Sequence, residues 1–173
     1  MSRIDEARFW SERLQVAKSI SKNSERMIHY SVFRVSEQEW NKIQKNHERV
    51  VLETIDTDND RVLDIGCAFG RNYITSIKNY TGIDLSPDFI KEAQRRFPEK
   101  EFINVRMEDY FPDQKFDWGI CSSIKEMIRR ENGIEDWAKK EEHLKNICKK
   151  ILILEYTPAM SSNYVATEII EGY

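Results

Sequence analysis

"RVLDIGCAFGRN", residues 61–72, is an apolar run that meets an acid at Asp64 and then turns through Gly66 and Gly70. A strand that ends in such a turn lets the backbone come close to a ligand, because glycine brings no side chain to the point of approach. Two phosphate-binding patterns fail here. A dinucleotide fingerprint starting at Gly66 needs glycine at 68 and 71, which are Ala68 and Arg71. A P-loop needs Gly-Lys-Ser/Thr, and Gly70 is followed by Arg71 and Asn72.

Downstream of this turn, short apolar runs alternate with amphipathic stretches. "RVLDI" (61–65), "YTGID" (80–84), "EFINVR" (101–106), "FDWGICSS" (116–123) and "KILILEY" (150–156) read as five strands. Residues 70–79, 87–97 and 134–149 read as the helices between them, the second opened by Ser86-Pro87-Asp88 as cap, first-turn proline and first-turn acid. Strands separated by helices pair in parallel through right-handed crossovers, which predicts an α/β, Rossmann-like doubly wound sheet. In such sheets ligands sit beyond the carboxyl ends of the strands, where the strand order reverses.

Upstream, residues 1–60 read as a helical cap and 61–173 as the ligand-binding core of one compact domain. "EARFWSERLQVAKSI" and "SEQEWNKIQKNHERVVLETI" have helical spacing, with Ser36 as a cap for the second; "KNSERMIHYSVFRV" between them is irregular and rich in aromatics. His47 falls among apolar residues of the second helix and reads as a packing residue.

The chain has 173 residues, 40% hydrophobic and 33% charged, with a net charge of -3, which suits one domain with a single core and gives no global pull towards nucleic acid. Cys67, Cys121 and Cys148 are odd in number and lack CxxC or Cys/His spacing, so reduced thiols and no metal site are expected. The opening "MSRIDEARFW" shows no signal-peptide pattern and no membrane span, and a cytoplasmic location is the default expectation.

Asp-Ile-Gly-Cys-Ala-Phe-Gly at a strand end, with Asp84 ending a second strand twenty residues on, resembles the first motifs of the class I S-adenosylmethionine-dependent methyltransferases. "TGIDLSPDFIKEAQ" and "FPDQKFDWGICSS" extend the resemblance over residues 61–156. It implies a sheet of order 3-2-1-4-5, with S-adenosyl-L-methionine as cofactor. Gly66, Cys67, Ala68 and Gly70 would cradle the methionine tail, and Asp64 would be an acceptor near its ammonium, either directly or through the backbone and water. Asp84 would accept from the ribose hydroxyls and Leu85 would pack on the adenine. Where the family often carries an acid after the third strand, this chain has Arg106, which cannot accept a hydrogen bond. The adenine edge is therefore assigned to Met107 backbone groups, with Glu108 or Asp109 as carboxylate alternatives, and Ser122 to the end of the fourth strand.

Methyl transfer needs alignment more than a covalent intermediate, and a base only where the acceptor must lose a proton early. His29, Tyr30 and Glu126 are the catalytic candidates, with "MIHYSVF" (27–33) as the lid over the acceptor pocket. The base-gripping Asp/Asn-Pro-Pro-Tyr/Phe element of amino-methylating nucleic-acid enzymes is replaced by Cys121-Ser122-Ser123-Ile124, which favours a small-molecule acceptor. An RNA or protein acceptor would be favoured if Arg8, Lys18, Lys22, Arg26 and Arg34 converged beside the pocket, and a non-catalytic adenosyl-ligand-binding or partner subunit of the same fold is the other alternative.

Too few residues follow Tyr156 for the family's full closing hairpin, so the sheet is expected to be shortened after its fifth strand. "ILILEY" would then be an exposed edge, covered either by "NYVATEII" (163–170) or by the second subunit of a homodimer.

Overall fold

The structure is a computed structural model and describes residues 3–20, 37–70, 72–155 and 166–173. Its elements are α1 (Arg3–Ile20), α2 (Glu37–Thr54), β1 (Arg61–Ile65), β2 (Asn79–Asp84), α3 (Pro87–Arg96), β3 (Glu101–Asn104), β4 (Phe116–Ser122), α4 (Lys125–Asn132), α5 (Ile134–Ile147), β5 (Cys148–Glu155) and β6 (Ala166–Glu171). Six strands form one sheet in the order β3-β2-β1-β4-β5-β6, parallel except for the last pair.

Alternation along the strands divides the core in two. In β1, Val62 packs with Val51 of α2, with Ile55 just past that helix, and with Ile90 and Ala93 of α3 on one face. Leu63 and Ile65 pack on the other face with Ile128 of α4 and with Trp137, Leu144 and Ile147 of α5. The sheet is thus covered on both faces, which is why β5 reads as a continuous apolar run, Ile151 to Leu154, all buried. A third cluster joins Trp10 and Leu14 of α1 to Phe69 and Phe89, seating α1 over the loop after β1.

Local chemistry sets the boundaries. Ser86 caps α3 by accepting from the Phe89 amide at 3.4 Å, Pro87 opens it, and Arg95 and Arg96 close it against the helix dipole. After β1 the expected helix over 70–79 is replaced by a single 3-10 stretch, Asn72–Ser76. Ile74 within it and Ile77 just after it, three apart, are both fully buried, so the apolar spacing that suggested a helix is met by a tighter turn. Helix α4, absent from the sequence expectation, follows β4. No side chain caps its own start at Ile124; the Glu155 carboxylate at the end of β5 accepts from the Glu126 amide at 3.3 Å instead.

The sheet does not stop at β5. Strand β6 pairs antiparallel with it from Lys150↔Glu171 to Glu155↔Ala166. Of the two covers foreseen for the edge, the chain's own tail provides one. The Gly172 amide then donates to the Lys149 carbonyl at 2.7 Å and the Tyr173 hydroxyl to Glu142 at 2.7 Å.

Candidate functional site

Strand order reverses between β1 and β4, whose neighbours β2 and β5 continue outward on opposite sides. A cleft with about 970 Å³ of empty space, part of it open to solvent, lies at this point and is walled by the carboxyl ends of β1, β2, β3 and β4. Its location is the one that parallel-sheet geometry selects for ligands.

The loop after β1 forms the floor. Gly66, Ala68 and Gly70 all line the cleft and all have positive φ, at 64°, 50° and 94°. A Cβ on Gly66 would stand 2.2 Å from Ile124 Cδ1 on the opposite wall, so glycine is what keeps the cleft open there. Ala68 adopts the left-handed region at a cost that glycine would not carry. Asp84 holds it in place: one carboxylate oxygen accepts from the Ala68 amide at 3.0 Å, the other from the Ser86 amide at 2.8 Å. Asp84 also lines the cleft wall, where an ionised carboxylate is a hydrogen-bond acceptor.

At the end of β3 the wall becomes charged. Arg106 Nη2 donates to Glu6 of α1 at 2.7 Å and Nε to Glu108 at 3.0 Å, and Lys140 of α5 stands 3.6 Å from Glu108. Burial alone would raise the Glu108 carboxyl, yet its own backbone amide and the two cations hold it below the usual carboxylate range. Arg106 Nη1 is buried and finds no acceptor among the described residues. At the end of β4, Ser123 has a φ of 61° and donates its amide to the Leu154 carbonyl at 2.7 Å, so a second left-handed residue faces the first across the switch point.

Eight of the ten positions singled out for the cofactor line this cleft: Gly66, Ala68, Gly70, Asp84, Leu85, Met107, Glu108 and Ser122. Asp64 and Cys67 do not. Asp64 lies on the α2 face of β1, fully buried, where it accepts from the Tyr80 hydroxyl at 2.8 Å. Side-chain alternation along β1 thus makes Asp64 a strut beneath the loop, and of the two routes expected for it, direct or through backbone and water, its side chain does not line the cleft for the direct one. Cys67 is buried in the same layer. Glu126 also stands off the cleft wall, with its carboxylate on Arg129 at 2.5 Å. His29 and Tyr30, like the whole 27–33 lid, lie outside the described residues.

Four contributions escaped the sequence. Glu6 and Trp10 reach the wall from α1, and Lys140 from α5; no local pattern marks residues brought in across the fold. His47 does more than pack, since its Nδ1 is 2.9 Å from Ser122 Oγ and ties α2 to the end of β4. Of the basic residues considered for a nucleic-acid face, the described side chain, Arg8, is paired with Glu12 at 2.7 Å.

A parallel sheet with a glycine-floored cleft at its switch point and an acid closing the neighbouring strand defines a nucleoside-cofactor domain of the Rossmann type. Residues 62–145, just under half of the chain, match the family model described as a methyltransferase domain.

Solved structures agree on the fold. The chain superposes on magnesium protoporphyrin IX methyltransferase from Synechocystis PCC 6803, solved with bound S-adenosylmethionine, with a TM-score of 0.58 and 16% identity over 71% of this chain and 61% of that one. A S-adenosylmethionine-dependent methyltransferase from Clostridium acetobutylicum ATCC 824 gives 0.55 and 19% over 75% and 55%. An amino pentose methyltransferase from Micromonospora echinaspora gives 0.53 and 15% over 69% and 51%. The chain thus spans between half and three fifths of the length of these structures. No curated protein sequence matches it significantly.

Proposed function

We propose that the protein binds S-adenosyl-L-methionine in the β1–β4 cleft and transfers its methyl group to a small-molecule acceptor. The observation that carries this is the junction of Asp84 with the Ala68 amide at 3.0 Å, which places a carboxylate and a bare glycine backbone on one wall. The residues present fit the cofactor: Gly66 leaves room for the methionine tail, Asp84 places a carboxylate acceptor on the wall for the ribose, and Leu85 and Met107 offer apolar surface for adenine. When bound, the cofactor supplies an electrophilic methyl group on a sulfonium, open to in-line displacement.

The chain's own work is alignment and exclusion of water. Ala68 and Ser123 fix the loops that flank the switch point, while Phe69, Ile124 and Met127 give that end of the cleft an apolar lining. His29 and Tyr30 are retained as acceptor-side candidates. A porphyrin and an amino pentose are the acceptors of two proteins with this fold, which supports a small molecule here.

Isothermal titration with S-adenosylmethionine, S-adenosylhomocysteine and NAD tests the reading. Both adenosyl ligands are expected to bind and NAD is not; failure of both at high micromolar concentration would sink it.

A further inference from the structure

Helix α1 is anchored on both sides of the cleft's β2–β3 end. Ser11 Oγ lies 3.2 Å from Ser86 Oγ just past β2, and Glu6 accepts from Arg106 just past β3 at 2.7 Å. The cleft lining continues from Asp84 and Leu85 past β2 to Val105, Arg106 and Met107 past β3, so the space that these two anchors bracket is open to the base of a nucleoside. An adenine amino group entering there is a hydrogen-bond donor and needs an acceptor. Arg106 cannot be one, because a guanidinium only donates.

Two carboxylates share this wall, and they are not equivalent. Glu108 has three partners: its Oε1 accepts from Arg106 Nε at 3.0 Å and faces Lys140 at 3.6 Å, and its carboxylate is also held by its own backbone amide. Glu6 uses only Oε2, on Arg106 Nη2, and among the described residues its Oε1 has no partner. The Glu6 side chain is 17% exposed and lines the cleft, so this oxygen is held at the wall by a partner that also fixes its direction.

We infer that Glu6, carried by α1 and aimed by Arg106, is the residue that selects a 6-amino purine in this cleft. The adenine-reading acid thus comes from a helix a hundred positions before Arg106, and the base site is complete only when α1 is docked. The inference rests on the methyltransferase reading, and Arg106 acts in it as a positioning residue.

The test is titration of S-adenosylhomocysteine against its inosine counterpart, in which a 6-keto oxygen replaces the amino group. The intact chain is expected to prefer the adenine compound by about tenfold or more, the range of one lost hydrogen bond to a charged group. Glu6→Gln, whose amide can also donate to a keto oxygen, is expected to remove most of that preference while still binding S-adenosylhomocysteine. Arg106→Gln, which breaks the tether, is expected to reduce the preference in the same direction, and Glu108→Gln to leave it in place. An unchanged preference in Glu6→Gln, or its loss in Glu108→Gln alone, would overturn the inference. If Glu6→Gln binds neither compound, retention of the adenine preference in Arg106→Gln overturns it and loss supports it. Failure of the intact chain to bind either compound would instead sink the methyltransferase reading, and this one with it.

Discussion

The Asp84 carboxylate accepts from the Ala68 amide at 3.0 Å, and so the acid at the end of β2 holds the loop after β1 as well as facing the cleft. Asp84→Ala is therefore expected to weaken S-adenosylhomocysteine binding by about 1–3 kcal/mol and to destabilise the unliganded protein too. Titration and ligand-free thermal unfolding measure the two effects. A variant with full affinity would remove Asp84 from the binding site.

Ala68 carries the left-handed conformation at a φ of 50° without being glycine. Ala68→Gly should relieve up to about 1 kcal/mol of backbone strain, offset in part by the entropy glycine gains in the unfolded chain. Unchanged or higher thermal stability is expected. A clear drop would mean that the alanine methyl group packs favourably enough to outweigh its strain.

Gly66→Ala lies at the opposite extreme. The added Cβ meets Ile124 Cδ1 at 2.2 Å and the φ of 64° disfavours any side chain. A loss of about 1–3 kcal/mol in stability is expected, with abolished cofactor binding even where the variant remains folded. Circular dichroism melting alongside titration separates the two.

Burial pushes the Glu155 carboxyl up to about 7, from an ordinary 4.5, and the amides it caps do not compensate. Between those two pH values the unfolded chain has released a proton that the folded chain retains. Stability from this group is therefore intact below about 4.5 and falls as pH rises towards 7, by up to about 3 kcal/mol. Glu155→Gln keeps an acceptor for the Glu126 amide and cannot ionise, so it should melt higher than the parent at pH 8 and at a similar temperature near pH 4.5. Parallel melting curves across that range would contradict this.

Gly172→Ala tests the tail. Its Cβ would fall 2.0 Å from the Cys148 carbonyl oxygen, a backbone atom that cannot swing aside. A loss of about 1–3 kcal/mol is expected, together with faster proteolysis within β6.

The parallel core was legible because both of its faces are covered: β1, β2, β4 and β5 announce themselves as apolar runs ending in polar residues, and Ser86-Pro87 marks a helix start without tertiary help. The loop positions followed from glycine spacing. Helix α4 was not legible, since "KEMIRREN" buries only Ile128 and borrows its cap from Glu155, twenty-nine residues away. Asp64 shows a different limit: its place at the strand end was clear, but which face it would take depended on register, and alternation turned it towards Tyr80. Glu6, Trp10 and Lys140 could not be read at all, because each becomes part of the wall through packing between segments far apart in sequence.

Strand β6 also decides what the sheet presents to other chains. By taking up the hydrogen bonds of the apolar β5, it moves the sheet's margin outward to a short strand on which Thr167, Glu168 and Glu171 are exposed beside an exposed large apolar side chain, Ile169. Glu168 is further drawn to Lys125, and carboxylates along a border repel a second border of the same kind. The tail therefore works as a guard against strand-on-strand association, and replacing Glu168 and Glu171 with valine would trade that guard for a surface prone to aggregate.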